Sequence, residues 1–268
     1  MSHHMDIRVL SFTGSGRTGR VIQAAAAKSN LKNVILELGG KSPCIIFPDA
    51  NIEKAVEQTK YSMTFNTGQV CMANSRIYVH ESIAENFIEL FKKSFADVKA
   101  GDPLLPTTQQ GPQADEVQYK QIHAYIEEAK KVGKLALGAE PSQHQNGYFV
   151  PPTIFLETPE DARPMKEEIF GPVVHINTFR DEEEVVAKAN DTEYGLYAAV
   201  YTKDVNRALR MAKKLESGSV GVNCTSPTGA KDMPFGGYKA SGIGREGWTV
   251  SIDNYLETKS VLISVDDE

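Results

Sequence analysis

Three groups of residues in this 268-residue chain have types and spacings that could do chemistry. The first is Gly14-Ser15-Gly16-Arg17-Thr18-Gly19, a literal G-x-G-x-x-G. Such glycines let backbone approach a pyrophosphate, and a helix N-terminus behind them supplies N–H groups and positive potential. The second is Glu37, 18 residues beyond Gly19 and followed at once by Leu38-Gly39-Gly40-Lys41-Ser42-Pro43. A glutamate there could hold a ribose hydroxyl in a Rossmann unit. The stretch after it departs from that layout, however, and Gly-Gly brings backbone close to something, which favours a site role. The third group is the cysteines Cys44, Cys71 and Cys224. A free thiol has a pKa of about 8.5, so a nucleophilic cysteine needs an activating neighbour. Read in isolation, a single cysteine among apolar residues is more often buried and inert. Cys44, in a strand-like apolar run, keeps that reading, and Cys224 stays ambiguous.

The elements that must position these residues alternate short β-branched runs with longer amphipathic stretches, the pattern of an α/β protein with a largely parallel sheet. The sequence predicts a strand over 7–12, a helix over 18–28 and a second strand over 34–38. Asp49 or Asn51 caps a predicted helix running to about 65, and 76–79 is strand-like again. Ile83, Phe87, Leu90, Phe91 and Phe95 recur at helical spacing over 81–98. Another helix is expected over 115–131, and Asp181 with Glu184 forms a capping box for one ending near 190. A strand over 198–201, a helix over 204–215 and a strand over 219–222 follow. The long loop 225–237 has the length of a functional connector. Residues 254–265 end in Val-Leu-Ile-Ser-Val and read as a terminal strand that finds its partner in another subunit.

Composition closes off several classes. The net charge is -6 with scattered basic residues, so nucleic acid and anionic membrane surfaces are not expected partners. No apolar run approaches the roughly 20 residues that span a bilayer. Three cysteines are too few for a disulfide framework or zinc site, and no metal is expected. The expected location is reducing and cytoplasmic.

Five motifs occur in order: Phe12-Thr13-Gly14-Ser15, Glu37-Leu38-Gly39-Gly40-Lys41-Ser42-Pro43, Phe65-Asn66-Thr67-Gly68-Gln69-Val70-Cys71, Glu167-Glu168-Ile169-Phe170-Gly171-Pro172 and Pro234-Phe235-Gly236-Gly237-Tyr238-Lys239. Together they resemble the NAD(P)-dependent aldehyde dehydrogenase superfamily, over essentially the whole chain from about Asp6. The resemblance implies oxidation of a small-molecule aldehyde to a carboxylic acid with NAD or NADP. It implies Cys71 as the nucleophile and Glu37 as the general base for thioester hydrolysis. Gly14 and Ser15 would lie on the pyrophosphate, Glu168 on the nicotinamide-side ribose and Phe170 near the nicotinamide, with Glu167 solvated. Phe65 and Phe235 would face the substrate, as would Thr228.

The resemblance also implies that the chain begins about midway through a family member. On that reading, residues 1–38 are a remnant of the cofactor domain. Residues 39–240 are the catalytic domain, and 241–268 are a C-terminal segment carrying the strand for homo-oligomerisation. The segment that reads the adenosine ribose and an asparagine donating to the oxyanion would be missing, so impaired turnover is expected of the chain alone. Two rival readings remain: a non-catalytic oligomerising fragment of the same fold, and an ordinary Rossmann dehydrogenase with Glu37 on a ribose.

Overall fold

The computed structural model describes residues 1–140, 147–227 and 232–265. In chain order the elements are β1 (Val9–Thr13), α1 (Gly16–Lys28), β2 (Asn33–Glu37), β3 (Pro43–Ile46), α2 (Ile52–Thr64), β4 (Arg76–His80), α3 (Ala84–Ala96), α4 (Glu116–Val132) and β5 (Lys134–Leu137). They continue with β6 (Thr153–Leu156), α5 (Arg163–Lys166), β7 (Val173–Phe179), α6 (Glu182–Asn190), β8 (Tyr197–Tyr201), α7 (Val205–Lys214), β9 (Ser219–Val222), β10 (Gly242–Ile243) and α8 (Trp248–Asp253).

The larger sheet has seven strands in the order β5-β6-β7-β4-β3-β8-β9. Only β5 against β6 is antiparallel; its other pairings are parallel. A parallel sheet needs cover on both faces, and the side chains alternate accordingly. Cys44, Ile46, Ile77 and Val79 face Phe87, Phe91 and Phe95 of α3, while Ile45, Tyr78 and Val200 face the opposite cluster with Val185 of α6 and Met211 of α7. The three phenylalanines of α3 are wholly buried, which explains their four-residue spacing.

A smaller sheet runs β1-β2-β10. β1 and β2 are parallel, with α1 packed between them in sequence, whereas β10 returns from the far end of the chain antiparallel to β2. Gly242 stands opposite Glu37 in that register. Residues distant in sequence therefore close over the strand that ends at Glu37.

Helix starts follow the local capping chemistry. Asn51, Asp115, Asp181 and Asp204 each accept a backbone N–H from the first turn of the helix that follows. Glu184 departs from the box expected of it: its carboxylate takes the N–H of Arg180 at 2.9 Å, one residue before the cap. The helix expected over 81–98 begins as a 3-10 turn at Glu81–Ile83 and becomes α-helical at Ala84.

Among the described residues, 254–265 have no sheet partner, and Leu256, Val261, Leu262, Ile263 and Val265 are exposed. A strand exists through its ladder, so this segment is not assigned as one in the single chain. The elements β5, β6, β7 and β10, together with α5 and α8, fall where the sequence shows no assigned element.

Candidate active site

The loop carrying Cys71 leaves α2 through a 3-10 turn, Phe65–Gly68. Inside it Asn66 (φ 48°), Thr67 (φ 62°) and Gly68 (φ 72°) are successively left-handed. Two of the three are not glycine, a conformation that costs energy and persists only where surroundings enforce it. Here Asn66 Nδ2 donates to Gln69 O at 3.0 Å, and Gln69 Nε2 returns a bond to Asn66 O at 3.1 Å. Gln69 Oε1 also accepts from Ala114 N at 2.9 Å. The glycine is required twice over, since a Cβ on Gly68 would strike the carbonyl of Gly171.

Gly39 and Gly40 answer the question raised by their adjacency. A Cβ on Gly40 would collide with the carbonyl oxygen of Cys71, and one on Gly39 with the carboxylate of Glu168. The Gly40 N–H donates to Glu168 Oε1 at 2.9 Å. Three of the five motifs thus meet at one point, with Cys71, Glu37 and Glu168 close enough for both carboxylates to act on the thiol.

Burial dominates the electrostatics of all three. It pushes the Cys71 thiol up to about 11, with the charges of Glu168 and Glu37 adding to the rise. The backbone N–H groups of Cys71 and Met72 oppose that rise. Burial likewise raises Glu37 to about 7, helped by Glu246 and opposed by Arg245. Among the described residues, neither carboxylate oxygen of Glu37 has a hydrogen-bond partner. Glu168 also rises to about 7 through burial, against the pull of the Gly40 N–H and of Lys41. Lys41 itself is buried, donates to Pro164 O at 2.6 Å and is lowered to about 7. Cys44 is fully buried and driven up to about 12, an inert thiol.

Glu246 was not singled out from the sequence. It bridges to Phe235 through backbone bonds of 2.7 and 2.8 Å, and Ser11 Oγ donates to its Oε1 at 2.6 Å. The available signal was a charged pair, Arg245-Glu246, inside the glycine-rich turn Gly244–Gly247. Lys41 stood in a quoted motif without a role.

The remaining candidates divide between two cavities. A crevice of about 810 Å³ has Ser15, Arg17 and Arg20 on one wall and Lys166, Glu168 and Tyr194 on another. Ser15 also caps α1 by accepting from Thr18 N at 3.3 Å. Glu37 is not among the residues that line this crevice. Gly14 is adjacent to it, its N–H bonded to Glu37 O at 3.0 Å. Phe170 is half-buried with φ 59°, its carbonyl held by Gln118 Nε2 at 3.0 Å. Glu167 is exposed as expected, yet it accepts from Tyr125 Oη at 2.6 Å and from Arg163 Nε at 3.0 Å.

A second cavity, of about 390 Å³, is bounded by Met72, Tyr197, Val220, Cys224, Met233 and Phe235. Met72 follows Cys71 directly, so Phe235 shares a cavity with the Cys71 loop. Phe65 does not line it; it lies exposed, ring to ring with Tyr61 at 5.7 Å. Thr228 lies outside the described residues. Among the described residues no cluster of His, Cys, Asp or Glu could hold a metal ion, and no helix is long and apolar enough to cross a membrane.

Residues 1–261 match the model of the aldehyde dehydrogenase family. The chain is 48% identical to aldehyde dehydrogenase 1A1 of Gallus gallus over 99% of its own length and 52% of that protein. It is 45% identical to an aldehyde dehydrogenase of Agaricus bisporus, over 99% of this chain and 53% of that one. Among solved structures it superposes on a point mutant of betaine aldehyde dehydrogenase from Staphylococcus aureus, in complex with NAD+, with a TM-score of 0.93 and 38% identity. That match covers 97% of this chain and 53% of the other. The chain spans about half the length of the curated relatives it matches.

Proposed function

Because this chain belongs to the aldehyde dehydrogenase family, we propose that it carries the nucleophile and the base of an NAD(P)-dependent aldehyde oxidation, in Cys71 and Glu37. The observation that carries the reading is Glu37: a buried carboxylate near neutrality, unpartnered on both oxygens, and within electrostatic reach of a cysteine sulfur. A base of pKa about 7 is half ionised where it must work.

Cys71 thiolate adds to the aldehyde carbon, forming a C–S bond and an oxyanion for the N–H groups of Cys71 and Met72 to receive. Proton transfer from Cys71 near 11 to Glu37 near 7 is uphill in the chain alone. Bound NAD(P)+ supplies the hydride acceptor and a positive charge that favours the thiolate. The acyl group left on Cys71 is opened by water, whose proton Glu37 takes. The crevice fits the cofactor by its donor set: Gly14 and Ser15 would meet the pyrophosphate, with Glu168 and Phe170 on the nicotinamide side. The Staphylococcus aureus relative was solved with NAD+. Phe65 and Phe235 are assigned to the aldehyde.

We assign residues 1–38 to the cofactor side, 39–240 to the catalytic domain and 241–268 to a C-terminal segment that pairs with a second copy. The exposed apolar side chains of 256–265 support that pairing. Three free thiols suit a reducing cytoplasm.

The test is reduced-nicotinamide production from a short-chain aldehyde by the freshly reduced chain, with NAD or NADP, beside Cys71→Ala. Turnover that disappears in the variant is expected. Equal turnover in both would overturn the assignment of Cys71, and no cofactor affinity at all would favour the non-catalytic fragment.

A further inference from the structure

On the side of Cys71 away from Gly40, two buried serines close a ring of hydrogen bonds on the nucleophile loop. Ser226 Oγ donates to Met72 O at 2.8 Å. Ser62 Oγ lies 2.6 Å from Ser226 Oγ, and Asn74 N donates to Ser62 Oγ at 3.2 Å. A serine hydroxyl has one hydrogen. With that of Ser226 committed to Met72, the bond between the serines runs from Ser62 to Ser226. The chain of donors is therefore fixed: Asn74 N–H to Ser62, Ser62 to Ser226, Ser226 to the Met72 carbonyl. It begins and ends on the backbone of one loop, within three residues of Cys71, and passes through α2 and the 223–227 segment.

Both serines are 2% exposed or less, and Asn74 is fully buried with Oδ1 taking a bond from Thr225 Oγ1. Two neighbouring residues of one segment thus grip the Met72–Asn74 stretch. A buried hydroxyl bond adds only about 1 kcal/mol net to stability, and apolar residues in place of both partners are often nearly neutral. What such a ring supplies beyond stability is direction. The Cys71 carbonyl is packed against Gly40, and the ring holds the next carbonyl, that of Met72, whose own N–H keeps the Cys71 thiol from rising further.

We propose that Ser226 and Ser62 are positioning residues for Cys71, fixing the Met72 carbonyl and with it the backbone that carries the cysteine sulfur. The importance of this ring rests on Cys71 being the nucleophile; its test does not need the dehydrogenase reaction. Without the ring, the sulfur loses a donor that favours thiolate, and its reactivity moves to higher pH.

The experiment is alkylation of Cys71 by iodoacetamide as a function of pH, followed by peptide mass spectrometry so that Cys224 does not contribute. In Ser226→Ala the pH profile is expected to shift upward, with the rate at fixed pH lowered roughly three- to tenfold, the scale of one hydrogen bond. Ser62→Ala should move it the same way by less, and Ser62→Thr should keep the parent profile. Folding is checked by circular dichroism and melting; if Ser226→Ala does not fold, the Ser62 pair decides. Folded alanine variants with the parent's pH profile would overturn the proposal. Equal reduced-nicotinamide production by the parent and Cys71→Ala would sink the nucleophile reading and leave this measurement intact.

Discussion

Glu37 and Cys71 are both held away from their ordinary ionisation by burial, and the direction matters for stability as well as chemistry. A carboxyl raised from 4.5 to about 7 binds its proton more tightly in the folded chain than in the unfolded one. Its contribution is therefore fully present below about pH 4.5 and is lost as pH rises through 7. Glu37→Gln keeps the shape without the ionisation, so it should melt above the parent at pH 8, with the gap shrinking toward pH 5. Differential scanning calorimetry at the two pH values checks this; a lower melting temperature at pH 8 would refute it. The same variant should release one equivalent of nitrophenol from a p-nitrophenyl ester and then stall, because acylation needs Cys71 but hydrolysis needs the base. In the parent, steady ester turnover should climb with pH through about 7.

The longer helices were legible because their starts are written locally, whereas the short α5 and α8 were not. Asp115, Asp181 and Asp204 announce their caps within three residues, and the phenylalanine spacing of α3 announces its buried face. Removing one cap, Asp181→Ala, should cost about 1 kcal/mol in urea unfolding. The strands β5, β6 and β7 were not legible: two are four residues long, and β7 buries His175 in a run otherwise apolar at its start. The Cys71 loop was half legible. Gly68 stood in the motif, but nothing in Asn66-Thr67 says that both are left-handed, because the enforcing bonds come from Gln69 and the 111–114 segment. Gly68→Ala pays for a left-handed alanine and a collision with Gly171 together. It should lose more than about 2 kcal/mol of stability and nearly all Cys71 reactivity.

At the scale of the molecule, the two cavities differ in character, the crevice beside Ser15 and Glu168 being lined largely by ionic side chains and the one beside Met72 mostly by apolar ones. The motifs located this centre because each brings one wall of it. Glu246 escaped because it acts on Glu37 only through the fold. The apolar segment 256–265 is the other large feature without a partner in the chain. Its deletion should convert an oligomer to a monomer in sedimentation velocity, and an unchanged sedimentation coefficient would exclude pairing through that segment.

The return of β10 onto β2 has a consequence for biosynthesis. Gly242, opposite Glu37 in the ladder, and Glu246, whose charge helps to raise it, are translated long after Glu37 itself. Until they arrive the strand that ends at Glu37 has only β1 beside it in the smaller sheet, and its carboxylate is wetter and more fully ionised. The raised proton affinity of Glu37 is therefore a property of the closed sheet and not of the strand that carries the residue.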